Sequence, residues 1–463
     1  MKRKKTLLVL CGILVVAIIA IFAERAFKQH MDKINSIDEE VFAISQDDVT
    51  ALNITYGEDE IELKHSDDTW TYTEDSDFPV DQDYVSKLVS KFESVHASFI
   101  IDDVEDYSQY GIDNPEATVV FTTADGEKKV TFGTFSKIDE KRYICVDDGS
   151  VYLIDDDILE DVSAALNDFL LKDKVNDYSQ LTAMVVKGDG NVKVTYDPDG
   201  DYTYTDAYDY YAVSGDNHQA LSETKVLNYV SKLKELDLSN YETYKATEED
   251  LAKYGLDHPT LAIALKGEVP SEDEDDSAVE SKSQKIYLSK EEDADTAYLN
   301  FVGSTIVYTI SADDYDALTD ASYESLRPDE IVSIDWTEVA SISVKLDDQS
   351  YVINCDTDKK DGNTYTLDDE KVDFLTSTSK IDGLTLSEVG DDYTKGQQEL
   401  AVAITLQDED ATVVNMVFYQ YDGDSVVVAV DGKVVGLCSR SSMSSLREEM
   451  TSAILNKGKD QEE

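Results

Sequence analysis

The sequence is poor in the residues that most often build covalent cross-links, metal sites and catalytic centres. Its 463 residues include 4 Cys, 5 His, 2 Trp and 6 Pro. Cys11 lies in an apolar N-terminal run, and Cys145, Cys355 and Cys438 are scattered without a Cys-x-x-Cys spacing. This distribution excludes a disulfide framework and a zinc site. A single pairing of Cys355 with Cys438 stays open.

Positive charge is also scarce. The chain has 40 Lys and Arg against 99 Asp and Glu, for a net charge of −59. Four of the cations precede residue 23 and every acid follows it, so the remainder carries 36 − 99 = −63. Such a surface repels nucleic acid and anionic lipid headgroups, which excludes nucleic-acid binding. The apolar fraction of 41%, with 28 Tyr, is still sufficient for folded cores.

Catalytic motifs are absent as well. We find no G-x-S-x-G, Walker or H-E-x-x-H sequence. Ser231 with Lys234, and Ser377 with Lys380, match S-x-x-K, but both pairs fall on predicted amphipathic helices and lack the companion motifs. Acidic residues are so numerous that no pair of them marks an acid–base site. We therefore expect a protein that is not an enzyme and that uses no cofactor and no metal.

Two acidic loops resemble calcium-binding loops but fail the EF-hand register. They are Asp197-Pro198-Asp199-Gly200-Asp201, and Asp356-Thr357-Asp358 with Asp361-Gly362. An EF-hand loop needs glycine at its sixth position, which is Tyr202 in one loop and Asp361 in the other. Solvated loops are the expectation, and a loss of thermal stability on adding a chelator would indicate calcium instead.

The N-terminus has the pattern of a signal anchor. A basic tail, residues 1–5, precedes an uncharged apolar run over residues 6–23, which is at the lower limit for a membrane span. The alternative is a cleaved signal peptide, but cleavage after Ala23 places Ile21 where a small residue is needed. We expect a single-pass protein of the cell membrane, with its N-terminus in the cytoplasm and the rest outside.

One short sequence motif, called the phrase below, begins at Tyr110 and again at Tyr254, at an offset of 254 − 110 = 144 residues. In each copy the glycine stands where a left-handed residue ends a helix, and the proline prevents further helix. Every residue has a local structural reason, so we interpret the phrase as a marker of a repeated module. The residues of this structural repeat motif are Tyr110, Gly111, Asp113, Pro115, Tyr254, Gly255, Asp257 and Pro259.

Other landmarks recur around the phrase in the same order. Tyr84-Val85-Ser86-Lys87-Leu88 returns as Tyr229-Val230-Ser231-Lys232-Leu233, and Thr71-Tyr72-Thr73 returns as Thr203-Tyr204-Thr205 and as Thr364-Tyr365-Thr366. We predict a stalk over residues 24–46, modules over 47–176, 177–330 and 331–456, and a polar tail over 457–463. Each module is expected to read three strands, helix, capped turn, four strands, helix. Helices are predicted at 80–95, 158–171, 315–326, 370–380 and 443–455.

This order predicts an α+β fold, in which tandem modules of mostly antiparallel sheet carry two helices each and follow an N-terminal transmembrane helix. Two insertions distinguish the second module, residues 207–219 and residues 268–283, and the latter is predicted to be a disordered hairpin loop. A tyrosine cluster near the first insertion is a candidate surface for binding a glycan or a protein. The alternative is strand residues facing a core plus a loop. The cluster comprises Tyr202, Tyr204, Tyr208, Tyr210 and Tyr211.

With Trp70 ahead of the first predicted helix, and the phrase at Tyr110–Pro115 and Tyr254–Pro259, the first two modules resemble a bacterial family, domain of unknown function 4340. The third module departs at Tyr393-Thr394-Lys395-Gly396. The resemblance implies a membrane anchor and an accessory role beside ABC transporters of the gliding-motility type, and it implies no catalytic residues.

We therefore expect a non-catalytic, membrane-anchored extracytoplasmic protein, an accessory or scaffold component of an ABC-type transport or envelope system. Its expected partners are the membrane and ABC transporter subunits or envelope components. The alternative is an adhesion module that binds an envelope glycan or protein.

Overall fold

The structure is a computed structural model that describes residues 38–205, 207–271, 278–346, 349–358 and 362–458. The predicted anchor, residues 6–23, lies outside these ranges, as does most of the predicted stalk. No helix among the described residues has both the length and the apolar character that a membrane crossing requires.

Three nine-stranded sheets form the framework of the residues that the structure describes. All the strand pairings given for them are antiparallel, for example β2 with β3 and β19 with β24. The first sheet contains β1 (Glu39–Phe42), β2 (Ala51–Tyr56), β3 (Asp59–Ser66), β4 (Thr69–Tyr72), β5 (Val95–Ile101), β6 (Ala117–Thr123), β7 (Gly126–Ser136), β8 (Lys141–Cys145) and β9 (Val151–Ile154). The second contains β10 (Gln180–Lys187), β11 (Val192–Tyr196), β12 (Tyr210–Ser214), β13 (Asn217–Leu221), β14 (Tyr241–Thr243), β15 (Leu261–Pro270), β16 (Val279–Ser289), β17 (Thr296–Phe301) and β18 (Val307–Ser311).

The third sheet contains β19 (Val339–Leu346), β20 (Gln349–Asp358), β21 (Gly362–Leu367), β22 (Glu370–Val372), β23 (Leu386–Val389), β24 (Gln398–Leu406), β25 (Val413–Gln420), β26 (Ser425–Val430) and β27 (Lys433–Ser439). The described α-helices are α1 (Gln82–Ser90), α2 (Glu223–Lys234), α3 (Glu248–Lys253), α4 (Ala312–Thr319), α5 (Tyr323–Leu326), α6 (Leu375–Asp382) and α7 (Arg440–Leu455).

The three sheets share one strand order. The first reads β1-β5-β9-β8-β7-β6-β2-β3-β4, the second β13-β12-β11-β10-β15-β16-β17-β18-β14, and the third β22-β21-β20-β19-β24-β25-β26-β27-β23. When the first order is reversed, its strands from β4 to β5 correspond one by one to those from β12 to β14 in the second sheet and from β21 to β23 in the third. The ninth strand, which has no counterpart in this comparison, is β1, β13 or β22. The third sheet is therefore a full copy of the plan although its phrase has been lost. This confirms tandem α+β repeats of mostly antiparallel sheet.

By compactness the chain divides into two units. The first comprises residues up to Asp173 with Leu238–Thr247 and Thr305–Tyr308, and the second comprises Lys174–Asp237, Glu248–Ser304 and Thr309–Glu463. Within the second unit, the core of the third sheet collects strand residues such as Ile342, Val402 and Phe418, together with Met443 and Leu446 of α7. Those strand residues are fully buried because alternate side chains of a strand share one face.

The prediction of two helices per module is wrong in detail. In the described residues the first module has one α-helix, the second has four and the third has two. The helix predicted over 158–171 is replaced by two short 3₁₀ helices, Ile158–Asp161 and Leu166–Phe169. The reason is tertiary pairing: Leu170 bridges Val80, and Leu171 N–H donates to Pro79 O at 2.8 Å, which requires extended backbone.

Residues Glu370–Val372, predicted as the start of a helix, form β22. Asp368 and Asp369 have φ of +54° and +65°, as a two-residue type I′ turn requires, and this turn pairs β22 with β21. The helix begins only at Leu375. At the other end of the chain, Glu39–Phe42 lies in the range predicted as stalk but pairs with β5.

The repeat of Thr71-Tyr72-Thr73 at Thr203-Tyr204-Thr205 is also corrected. Thr71 and Tyr72 belong to β4, whose counterpart in the second sheet is β12 (Tyr210–Ser214), while 203–205 is irregular. In the predicted loop 268–283, strands β15 and β16 continue to Pro270 and from Val279, and residues 272–277 lie outside the described ranges. Cys145, Cys355 and Cys438 are free and buried, so Cys355 and Cys438 are not paired.

Candidate functional site

A groove of about 620 Å³ lies in the second unit. One wall comes from β13 and from Tyr202, Thr203, Tyr204 and Tyr208, and the opposite wall comes from β23 and the β26–β27 hairpin. Residues 328–333, which connect the second and third sheets, close one side. The volume falls within the range of small-molecule and peptide-side-chain sites. The groove is therefore our candidate functional site.

Tyr202 forms an ordered aromatic wall of this groove. Its ring stacks on His218 with centroids 4.0 Å apart and meets the edge of Tyr211 at 5.0 Å. Its hydroxyl donates to Asp197 Oδ2 at 3.0 Å, and that carboxylate raises the pKa of Tyr202. A Cβ at position 200 would lie 2.6 Å from the Tyr202 ring, so this packing requires Gly200. Tyr202 nevertheless remains 44% exposed as a residue, so that a ligand can reach it.

Tyr204 joins the second and third modules. Its ring packs against the core of the third sheet, and its hydroxyl donates to Asp431 Oδ2 in the turn between β26 and β27. Burial and this hydrogen bond together raise the pKa of Tyr204 to about 12. A neutral phenol that donates to a carboxylate holds the two walls of the groove together.

The five tyrosines of the predicted cluster have two different roles. Tyr202, Tyr204 and Tyr208 line the groove. Tyr210 and Tyr211 of β12 are 1% and 0% exposed, and as neighbours on one strand they lie on opposite faces of the sheet. Tyr211 supports the lining, since its hydroxyl donates to Tyr208 O at 2.6 Å. The interpretation as buried strand residues therefore applies to these two.

Arg327 is a lining residue that the sequence analysis missed. Its side chain is 11% exposed, and Nη1 donates to Pro328 O at 2.7 Å. Nε has no hydrogen-bond partner among the described residues, and the nearest carboxylate oxygen, on Glu324, is 3.6 Å away. The only feature of the sequence that could have indicated this residue is that arginine is rare in the chain and that one occurs at the end of the second module. Val389, Val430 and Val435 were also missed, because distant parts of the chain supply them.

The repeated phrase has a structural role in both copies. Gly111 and Gly255 have φ of +74° and +69° at the ends of short helices. The Tyr110 ring packs on Tyr143, and the Tyr254 ring packs on Tyr298. These partners lie on the corresponding strands β8 and β17, so the two copies make the same contact. Asp113, Pro115, Asp257 and Pro259 lie outside the groove lining.

The two S-x-x-K matches are not brought together as catalytic pairs. Lys234 pairs with Asp177 at 2.9 Å, and Lys380 donates to Ser445 at 2.6 Å. Ser377 is 1% exposed, and its Oγ lacks a partner among the described residues. No group of three or more His, Cys, Asp or Glu side chains suited to a metal occurs in the part of the chain that the structure describes.

Comparison with known proteins identifies a family, and the description of that family names no function. Residues 70–248 and 212–401 both match the family described as Domain of unknown function (DUF4340). Together they span more than half of the chain, and the chain belongs to this family. Both matches begin at corresponding strands, β4 and β12, as expected for a repeat. No curated protein and no solved structure matches the chain.

Proposed function

We propose that the protein is a non-catalytic, membrane-anchored extracytoplasmic scaffold, and that it serves as an accessory component of an ABC-type transport or envelope system. Residues 6–23 anchor it, with the N-terminus in the cytoplasm and the three modules outside. Its task is to hold a partner rather than to transform a substrate.

The observation that carries this proposal is the groove itself. It is lined by aromatic rings and valines, and the Tyr204–Asp431 hydrogen bond fixes it across two modules. Aromatic residues on a rigid framework are typical of binding surfaces. Its described lining residues include neither Cys nor His nor Lys. The charge of −59 further supports a protein that remains soluble outside the membrane and attracts cationic partners.

Affinity purification of the full chain from native membranes tests this function. We expect permease or ATPase subunits of a transporter in the eluate, and a chain that lacks residues 1–23 serves as the control. Recovery of wall polymer alone would contradict the proposal.

A second candidate is an adhesion module that binds an envelope glycan or a surface protein. The exposed Tyr202 ring, held flat against His218, favours it, because sugars stack on such faces. A glycan array probed with the full chain should then show binding that Tyr202→Ala abolishes. Tyr56→Ala, at a comparably exposed ring (39%) in the first sheet, is the matched control.

A further inference from the structure

We propose that the groove binds an extended, basic segment of a partner protein, which adds to the free edge of β13 as a further strand. The inference rests on the proposed scaffold function and names the chemistry of what is held. Pairing of a peptide with a sheet edge takes its affinity from main-chain hydrogen bonds and its specificity from alternate side chains.

The first observation is the direction of the β13 backbone. β13 pairs with β12, beginning at Ser214 opposite Asn217 across the two-residue turn Gly215-Asp216. The residues that flank such a turn form a hydrogen-bonded pair, and the pairs then alternate along the ladder. His218 and Ala220 consequently direct their N–H and C=O groups away from β12. Neither residue's backbone has another partner among the described residues.

The second observation is that this edge borders the groove. Gln219 and Ala220 line it, whereas the edge strand of the third sheet, β23, is partly covered. Ile331 N–H donates to Leu384 O at 2.9 Å, and Leu386 N–H donates to Asp329 O at 3.3 Å. The connecting segment therefore occupies the start of β23, and β13 is left to accept a strand. Its five residues extend about 17 Å, enough for a peptide of about five residues.

The third observation is the distribution of apolar and charged groups. Val389, Val430 and Val435 give one side of the groove an apolar surface for alternate side chains. Glu324, Glu330 and Asp391 are exposed at its rim. Among the described lining residues Arg327 is the one cation, and it is mostly buried near Glu324. A segment with Lys or Arg at alternate positions complements this rim. A second copy of the chain does not, because it carries the same acidic charge.

Peptide selection on the purified full chain in detergent tests the inference. The probe is an array of synthetic heptapeptides with randomised sequence. We expect the bound peptides to be enriched in Lys or Arg at alternate positions, with Val, Ile or Thr between them. Enrichment in Asp or Glu, as expected if Arg327 captured a carboxylate, or no enrichment at all, would overturn it.

The best bound peptide is then titrated by fluorescence anisotropy against matched variants. Ala220→Pro removes the outward N–H and leaves the ladder to β12 intact, and Ala220→Val keeps the N–H. Binding should weaken about tenfold in Ala220→Pro and change little in Ala220→Val. Equal binding by Ala220→Pro and wild type would refute the strand addition. Should Ala220→Pro fail to fold, the two alternating sets of peptide nitrogens are N-methylated separately. The set that faces β13 must abolish binding to the wild-type chain, and binding retained with both sets would refute the strand addition.

These outcomes separate the inference from the proposed function. If no basic peptide binds but transporter subunits still copurify with the chain, the groove inference fails and the scaffold function remains. If basic peptides bind and no transporter subunit copurifies from membranes, the reverse holds.

Discussion

At the scale of single residues, the groove depends on one phenol. Tyr204 is contributed by the irregular segment before β12, yet it packs on the third sheet and donates to Asp431. Its ring and its hydroxyl therefore have separable effects. The ring supplies packing, and the hydroxyl supplies a hydrogen bond to a charged acceptor.

We predict that Tyr204→Phe lowers the free energy of unfolding by about 1 kcal/mol at neutral pH, since a partly exposed hydrogen bond is lost while the ring remains. The pKa of Tyr204 is raised from its ordinary value of 10 to about 12 in the folded protein. The stabilisation is therefore full below pH 10 and is lost as the pH rises towards 12. Urea unfolding, followed by Trp336 in a Trp70→Phe background, should show the wild-type advantage vanish in that window. A constant difference across it would contradict the assignment.

At the scale of elements, the strands were the part of the fold that local sequence could predict. Alternating patterns such as Leu52 and Ile54 in β2 identify the buried face directly. The failures came where distant contacts override local preference. Residues 158–171 have a helical pattern, but the pairing of Leu170 with Val80 requires extended backbone at the end of this segment. Thr203–Thr205 has strand propensity, but it is Tyr210 and Tyr211 that pair with β11 and become buried.

The candidate site was predictable only in part for the same reason. Three of the five predicted tyrosines line the groove, because an aromatic cluster is visible in the sequence. The valines opposite them lie about 180 to 230 positions later in the chain, and without homologues nothing in one sequence pairs such distant segments. Arg327 likewise has no local motif.

A partly buried ion-pair network around Arg142 holds the residue that follows the phrase. Arg142 of β8 contacts Asp157 at 2.6 Å and Glu116 at 2.8 Å, and it donates to Gly133 O of β7 at 2.8 Å. Glu116 directly follows Pro115, so the network holds the end of the phrase against the sheet.

We predict that Arg142→Gln destabilises the first unit by about 3 kcal/mol, because it leaves the mostly buried Asp157 carboxylate without its cation. Lys91→Gln is the matched control. Lys91 and Asp161 are each 48% exposed, and such surface pairs contribute about 0–1 kcal/mol. Urea unfolding monitored by the buried Trp70, in a Trp336→Phe background, measures both. Equal effects of the two substitutions would contradict the role given to Arg142.

At the scale of the whole molecule, three copies of one sheet plan follow each other along the chain, and the anchor that we propose at residues 6–23 precedes them. The repeats supply rigid surfaces, and a groove with aromatic, apolar and acidic lining lies where the second and third copies meet. With a net charge of −59, the chain attracts cationic groups more readily than anionic ones.

We predict that deleting residues 1–23 releases the chain from the membrane fraction, because that run supplies the apolar length for insertion. Full-length chain should stay in carbonate-washed membranes and be digested by protease added outside intact protoplasts or spheroplasts. Full-length chain in the soluble fraction, or protected from the protease, would contradict the predicted anchor and orientation.

Photocrosslinking in intact cells shows whether the open edge of β13 contacts a transport partner. A photoreactive residue at Gln219, on the open edge of β13, should give a covalent adduct with a membrane transport protein. The same residue at the exposed Glu105 of the first module should not. Adducts from both positions alike, or from Gln219 only with wall polymer, would contradict the account.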